Sequence, residues 1–155
     1  MQRSKLGSFF EDFEVGEVID HSLSKTIFES DNNFFSLLTM NHHPLHTNIQ
    51  YASQTQFTKP LVVGTLVFSI AVGITVPDIS GKAIANLDYE KIEHLRPVFI
   101  NDTIYVQTKV LSKRESKSRP DRGIVSVEST VFNQKQEEVL KFKRSILINK
   151  KAKNA

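Results

Sequence analysis

The 155 residues of this chain suffice for one domain with a buried core and are too few for two domains of ordinary size. Hydrophobic residues make up 39% and charged residues 24% of the chain, which excludes a disordered composition. The absence of cysteine excludes disulfides, a thiolate nucleophile and Cys-ligated metals, and fits a reducing, cytoplasmic environment. A net charge of +3 is too weak to predict nucleic-acid binding. We predict a single domain over residues 1–155, with a core at about 9–148 and a basic tail at 149–155.

The apolar stretches are too short for a membrane protein. The longest, Pro60 to Val76, falls short of the roughly 20 residues that span a bilayer. The first residues, Met1 to Glu11, lack the apolar centre of a signal peptide. We therefore expect no membrane partner.

Three elements are predicted in the first half of the chain. "HSLSKTI" is typical of a short strand, and "FESDNNFFSLL" of a short helix with Ser30 or Asp31 as its N-cap. "TNIQYASQTQF" is a second short helix with Asn48 as its cap. The segment "MNHHPLH" between these helices is predicted as a loop. The first helix carries an apolar face formed by Phe34, Phe35, Leu37 and Leu38.

The second half of the chain predicts an antiparallel sheet around one helix. "LVVGTLVFSIAVGIT" is too long for an ordinary strand, and we interpret it as a helix that is apolar all round and buried. After Gly81 most segments alternate between apolar and polar residues, with turns at "SRPDRG" and "NQKQ". The predicted fold class is α+β. The alternating apolar rows are Ile104 and Val106; Val125, Val127 and Val131, interrupted by Ser129; and Leu140, Phe142 and Ile146, interrupted by Arg144.

The segment "MNHHPLH", residues 40–46, holds three of the five histidines. A metal site is not favoured, because His42 and His43 are adjacent and no carboxylate lies between Asp31 and Asp78. A serine triad is not favoured either, because no Ser lies in a Gly-x-Ser-x-Gly turn. General acid–base chemistry needs only one histidine beside an apolar pocket.

Among the histidines, His46 is the best-positioned candidate for that chemistry. Pro44 stiffens the backbone just before it by fixing its own φ and biasing His43 away from helix. We interpret His42 as a solvent-facing residue, and the isolated His21 and His94 as structural.

"LTMNHHPLHTNIQYA" resembles the motif of the MaoC-like, or (R)-specific enoyl-CoA hydratase, family, which usually reads Ser/Thr-Gly-Asp-x-Asn-Pro-Leu-His. "FTKPLVVGTLVFSI" resembles the start of that family's central helix, and the stretch from Arg96 to Leu140 resembles its long strands. The resemblance runs from Phe9 to Ile148. The segments "LLTMN" and "RESKSRPDRGIV" are closest to the branch of mesaconyl-, itaconyl- and methylmalyl-CoA hydratases.

The resemblance implies a hot-dog fold, a long helix wrapped by an antiparallel sheet, paired with a second copy. It implies addition of water to a 2-enoyl-CoA thioester, or the reverse, with CoA as part of the substrate and no separate cofactor or metal. The motif histidine falls on His46, and the glycine whose N–H polarises the thioester carbonyl falls on Gly64. Gly64 has a second interpretation, a close contact between the helix and a neighbour. The flanking substrate-binding positions are Pro44, Val63 and Thr65.

Three positions depart from the family motif. The usual Asp is Asn41, the usual Asn is His43 and the usual Gly is Met40. Because an amide orients water but takes no proton, the two-residue scheme of the family does not transfer unchanged. Three accounts stay open: His46 transfers both protons while Asn41 fixes the water; His43 replaces the lost carboxylate; or the chain is a non-catalytic thioester-binding protein or partner subunit of a heteromeric dehydratase.

For an acidic acyl group, candidate counter-charges are Lys117, Arg119 and Arg122, unless they form a solvated hairpin end. Lys59 and Arg96 are weaker candidates. A thioesterase is the remaining alternative, disfavoured because no Asp or Glu lies between Thr47 and Val76 to act near the central helix.

Overall fold

A computed structural model describes residues 6–152. A short 3-10 turn, Phe10–Asp12, precedes the first strand, and a π-helical turn, Val76–Ser80, follows the longest helix. The helices and strands, in chain order, are β1 (Val18–Thr26), α1 (Glu29–Leu38), α2 (Pro44–Thr47), α3 (Ile49–Ser53), α4 (Gly64–Thr75), β2 (Ala83–His94), β3 (Thr103–Glu115), β4 (Arg122–Phe132) and β5 (Glu138–Asn149).

The strands form one antiparallel sheet in the order β1-β3-β4-β5-β2, and α4 packs on one face of it. Alternate residues of β3, β4 and β5 are buried, so the three predicted apolar rows are confirmed. The interrupting residues Ser129 and Arg144 lie on the same buried face. The α+β class and the sheet around a helix are therefore as predicted.

The central helix differs from its prediction in two ways. It begins at Gly64 rather than Leu61, because Leu61 forms a β-bridge with Phe99 and the Val62 N–H donates to the Val98 carbonyl at 2.9 Å. It is also not buried all round, because the small residues Thr65, Ser69 and Gly73 are exposed along one stripe. The sheet covers the helix from one side only.

The helix α1 begins two or three residues earlier than predicted, and most of its predicted apolar face turns outward. Its N-cap is Phe28, not Ser30 or Asp31, and the Asp31 carboxylate instead accepts the Phe28 N–H at 2.9 Å and the Lys25 ammonium at 2.7 Å. The hydrogen bond from Lys25 holds the pKa of Asp31 below its ordinary value. The apolar side chains Phe34, Leu37 and Leu38 are about two-thirds exposed, whereas the polar Asn32 and Ser36 are fully buried.

A chain of polar side chains crosses the core at the other end of the sheet. His21 Nδ1 lies 2.7 Å from the Asp78 carboxylate and His21 Nε2 lies 2.8 Å from the Thr108 hydroxyl, which lies 2.8 Å from that of Ser129. This is the order of groups in a hydrolase triad, but Thr108 and Ser129 have no exposed surface, so no substrate reaches them. His21 is structural, as predicted. Within the described residues, no helix is long and apolar enough to cross a membrane.

Candidate active site

The histidine segment is more ordered than the predicted loop. It contains the helix α2, with Pro44 at its first position and His43 as its N-cap, whose Nδ1 accepts the Leu45 N–H at 3.1 Å. Met40 has φ of 61° and turns the chain between α1 and α2, at the position where the family motif has glycine. Asn48 caps α3 by accepting the Tyr51 N–H, as predicted. The prediction of a loop is confirmed for residues 40–43 and wrong from Pro44 onward, because proline at the first turn and a histidine cap favour a short helix.

The half-buried His46 lies on α2 with one ring nitrogen occupied. Its Nδ1 is 3.0 Å from the Leu61 carbonyl oxygen, which only accepts hydrogen bonds. In the neutral ring the hydrogen therefore sits on Nδ1, and Nε2 keeps its lone pair. This is the protonation state that a general base needs.

Gly64 is the first residue of α4, and its N–H donates to no protein acceptor within residues 6–152. The preceding Val63 provides no side-chain cap, and its carbonyl accepts the Leu66 N–H at 3.0 Å, so the N–H of Gly64 at the start of the helix stays open. The positive end of the helix favours negative charge at this point. An oxygen that gains charge during a reaction would be stabilised here.

His46 and Gly64 line the same cavity of about 330 Å³. Its walls are largely apolar and include Leu61, Val67 and Val98, and no Asp or Glu belongs to the lining. The cavity thus combines a histidine base, an open backbone donor and an apolar wall. Among the described residues no group of three potential ligands could hold a metal ion.

His94 is the second histidine of this cavity, and sequence reasoning assigned it a structural role. A Cβ placed on Gly64 would lie 2.7 Å from Cε1 and 3.1 Å from both ring nitrogens of His94. The His94 ring therefore lies directly against Gly64. This glycine combines an open N–H donor with a close contact to a neighbouring side chain. No described residue forms a hydrogen bond with the His94 ring. The position at the end of a strand carries no sequence signal that distinguishes it from a surface histidine.

The other predicted site residues do not line the cavity. Asn41 is half-buried, and its side chain makes no hydrogen bond to any described residue. The exposed His43 packs edge-on against His46, with ring centroids 6.1 Å apart. The lining likewise lacks the predicted positions Pro44, Val63 and Thr65.

The predicted counter-charges lie far from His46 in the same chain. Arg122 pairs with Asn149 at the end of β5, whereas His94 pairs with Leu140 near its start, so nine residues of β5, about 30 Å, separate the two ends. The Arg122 guanidinium instead binds the neighbouring Asp121 at 2.8 Å and holds the pKa of that carboxyl below its ordinary value. Lys117 and Arg119 belong to the same hairpin end. The structure does not bring these three residues to the cavity.

The weaker candidates are nearer. Arg96 lines the cavity itself, and Lys59 lies in an adjoining groove that shares Arg96 and Pro97 with it. Neither Lys59 nor Arg96 forms an ion pair with a carboxylate in the described part of the chain. Each is thus available to an anionic ligand.

The chain is similar to one protein family and to several known proteins. The model of the MaoC like domain matches residues 11–133. The mesaconyl-CoA hydratase of Cereibacter sphaeroides is 32% identical over 149 residues, and the beta-methylmalyl-CoA dehydratase of Chloroflexus aurantiacus is 36% identical over 149 residues. Each match covers 96% of this chain but only 43% and 42% of the relative, so the chain spans less than half the length of these two proteins.

Two solved structures are similar over nearly the whole chain. The monoamine oxidase regulatory protein from Archaeoglobus fulgius is 35% identical with a TM-score of 0.82, covering 96% of this chain and 99% of its own. The protein RV0216 from Mycobacterium tuberculosis, described as a double hotdog fold, is 23% identical with a TM-score of 0.86, covering 96% of this chain and 46% of its own. The latter supports the fold alone. The chain therefore has the hot-dog fold and belongs to the family of MaoC-like domains.

Proposed function

We propose that this chain is an acyl-CoA hydratase or dehydratase, a hydro-lyase that adds water to a 2-enoyl-CoA thioester or removes it. The observation that carries the proposal is the shared cavity of His46 and Gly64, with Nε2 of the one and the N–H of the other unoccupied. The names of the relatives, a hydratase and a dehydratase, support the same reaction class.

The chemistry follows from one base and one donor. His46 Nε2 takes a proton from water as the water oxygen bonds to C3, and the electron pair of the C2–C3 double bond moves to form an enolate on the thioester. The Gly64 N–H and the helix terminus stabilise the enolate oxygen. The protonated His46 then gives its proton to C2, so that one molecule of water has been added. Dehydration runs through the same steps in reverse.

Of the three accounts that the motif left open, the geometry supports the proton-transfer part of the first, because His46 lines the cavity, whereas Asn41, which that account uses to fix the water, lies outside the lining. His43 is a poor second base, because its Nδ1 already accepts a backbone N–H and its ring lies outside the cavity lining. Asn41 transfers no proton in the proposed mechanism, because an amide side chain takes up none at neutral pH. His94, against Gly64, is the other ring within reach of a bound thioester.

For the substrate we favour a branched C5 dicarboxylic acyl-CoA, the class named by the two relatives. Such a substrate carries a free carboxylate and the phosphates of CoA, and Arg96 and Lys59 are the cations beside the cavity. The proposal needs no additional cofactor. A cytoplasmic location stays a prediction.

For the assembly we favour a homodimer formed across β2. Among the described residues this strand pairs with β5 alone, and its apolar side chains Ile84, Leu87, Tyr89 and Ile92 are 40 to 49% exposed. The chain has about half the length of the two relatives named above, and in each of them the other half is available to cover such a surface. Light scattering of Leu87→Lys should show a loss of dimer that Leu23→Lys, on the opposite edge strand, does not show. A wild-type protein that is only monomeric would contradict this assembly.

The test of the function is turnover with purified full chain. Crotonyl-CoA and mesaconyl-CoA are incubated with the protein, and loss of the conjugated thioester absorbance is followed. His46→Ala should abolish turnover, and His42→Ala is the matched control, because this exposed neighbour lies outside the cavity lining. Activity that survives in His46→Ala would exclude His46 as the base.

Two further readouts separate the alternatives. Release of free CoA thiol without formation of a hydroxyacyl product would indicate a thioesterase. Binding of these thioesters without turnover, together with activity gained in Asn41→Asp, would indicate a non-catalytic chain in which the amide has silenced the site. Under the proposal, the wild type is active and Asn41→Asp retains turnover.

A further inference from the structure

The helix α1 buries an asparagine against the segment that carries the candidate site. Asn32 has no exposed surface, although it lies on a helix whose apolar residues Phe34 and Leu37 are exposed. Burial of an amide is costly unless all its hydrogen-bonding groups find partners. Asn32 therefore has a role that an apolar residue would not fill.

The three hydrogen bonds of the Asn32 side chain reach three points around the cavity. Nδ2 donates to the carbonyls of His46 and Leu61, each at 3.1 Å, and Oδ1 accepts the N–H of Val63 at 2.9 Å. The amide orientation is defined by these partners, because two acceptors must face the nitrogen and one donor must face the oxygen. One side chain thus joins two segments that are 14 to 31 residues away along the sequence.

Each of the three partners bears directly on the geometry of the site. The Leu61 carbonyl that accepts from Asn32 is also the acceptor of His46 Nδ1, so the same oxygen sets the ring of the candidate base. Val63 is the N-cap of α4, and the next N–H is that of Gly64. The distance between the base and the backbone donor therefore depends on where Asn32 holds these segments.

We propose that Asn32 is a positioning residue that fixes His46 and the Gly64 N–H relative to each other. It touches neither the substrate nor the reacting atoms and acts through Leu61, His46 and Val63. This inference rests on the proposed hydratase function for its kinetic consequence, but the arrangement of hydrogen bonds that it describes is independent of turnover. Asn is the residue type required, since Asp offers no donor to the two carbonyls, and Leu, of similar size, offers neither donor nor acceptor.

The adjacent Asn33 provides a matched control. It is the same residue type on the same helix, and it is exposed. The variants are Asn32→Leu and Asn32→Ser, compared with Asn33→Leu and Asn33→Ser in the full chain. Turnover of mesaconyl-CoA and crotonyl-CoA is measured below the unfolding temperature of each variant, with the folded fraction determined by circular dichroism.

The kinetic expectation is a loss in kcat of about 100-fold in the Asn32 variants, corrected for folded protein, with KM changed by less than about threefold. The Asn33 variants should equal the wild type. A residue that only stabilises the fold would lower the unfolding temperature and leave kcat per folded molecule unchanged, and that result would overturn the proposal. Failure of both Asn32 variants to fold at 10 °C would overturn it as well, since the role would then lie in folding.

A readout without substrate separates this proposal from the proposed function. Nitrogen-15 NMR of the imidazole rings reports which nitrogen of His46 carries the hydrogen. The wild type should show the hydrogen on Nδ1, and Asn32→Ser should show a mixture of both forms, while Asn33→Ser resembles the wild type. If the wild type has no hydratase activity but this difference is present, the proposed function fails and the positioning role stands. An unchanged His46 signal in Asn32→Ser would refute the positioning role.

Discussion

Substitution of Gly64 by alanine tests whether the close approach of His94 defines the candidate site. The added Cβ would lie 2.7 Å from Cε1 of His94, about 1 Å inside the ordinary carbon–carbon contact distance of about 3.5–4.0 Å. The His94 ring must therefore retreat by about 1 Å or rotate, and the space beside the Gly64 N–H changes shape. Because His94 is exposed, the ring is free to move, and we expect the protein to fold.

A displacement of about 1 Å at a reacting centre lowers the rate by about 100-fold, equivalent to about 2.7 kcal/mol of transition-state stabilisation. We expect this loss in kcat/KM for Gly64→Ala. The matched control is Gly73→Ala on the same helix, where an added Cβ meets no atom within 4 Å. This control should keep its activity and gain about 0.5–1 kcal/mol in free energy of unfolding, because alanine is the better residue within a helix.

The assay is loss of the conjugated thioester absorbance of mesaconyl-CoA or crotonyl-CoA, with unfolding in urea as the measure of stability. A double-mutant cycle with His94→Ala isolates the cause. With the ring removed, the added methyl group at Gly64 should cost less than about threefold in kcat/KM. The reasoning is refuted if Gly64→Ala is as active as Gly73→Ala, or if its loss persists undiminished in the absence of His94.

Three further predictions concern charged and buried residues elsewhere. Arg96→Ala should raise KM for an acyl-CoA about tenfold by removing a cation beside the cavity, whereas Arg119→Ala, at the far hairpin, should leave steady-state kinetics unchanged. His21→Ala should lower the free energy of unfolding by about 2–4 kcal/mol, because it removes one of the two partners of the buried Thr108 hydroxyl and the imidazole partner of Asp78, while kcat/KM per folded molecule stays constant. Arg144 is buried beneath α4 with its Nε unpaired and no carboxylate within ion-pair distance among the described residues, and burial lowers its pKa. Arg144→Met should therefore leave the free energy of unfolding unchanged or raise it by about 1–4 kcal/mol in urea unfolding. The effect should be equal at about pH 6 and pH 9. The lowered pKa of Arg144 is still strongly alkaline, so the folded and unfolded states bind the same number of protons at both pH values. A loss of stability in Arg144→Met would show that the hydrogen bonds of the guanidinium to Thr75 and Asn86 outweigh the cost of burying its charge.

Much of the sheet could be predicted from the alternation of apolar residues. A residue on a strand points to the face opposite its neighbours, so the rows through Val125 and Val127 and through Leu140 and Phe142 define the buried face without knowledge of the partners. Even Arg144 follows this alternation. The direction of the apolar face of α1 could not be predicted, because an apolar stripe on a helix is equally compatible with packing against the core of its own chain and with lying on the outer surface.

Helix boundaries were predictable only where a local signal dominates. Asn48 caps α3 through a contact within three residues. The start of α4 depends instead on a bridge between Leu61 and Phe99 and on the Asn32 side chain, which removes Val63 from the helix. Propensity favours continuing the helix through these apolar residues, and tertiary contacts override it.

The sequence by itself determined which residues are the candidates for the site: a proline-stiffened histidine, His46, and, through the family resemblance, a glycine, Gly64, at the opening of an apolar helix. Only the tertiary structure decided which other residues join them: His94 and Arg96 lie at the cavity, whereas Arg119 and Arg122 lie about 30 Å away. The physical reason is that a motif reflects contacts between near neighbours in the chain. The meeting of the end of β2 with the start of α4 depends on the register of β2 against β5 and on the packing of α4 over the sheet, and both are set by the core as a whole.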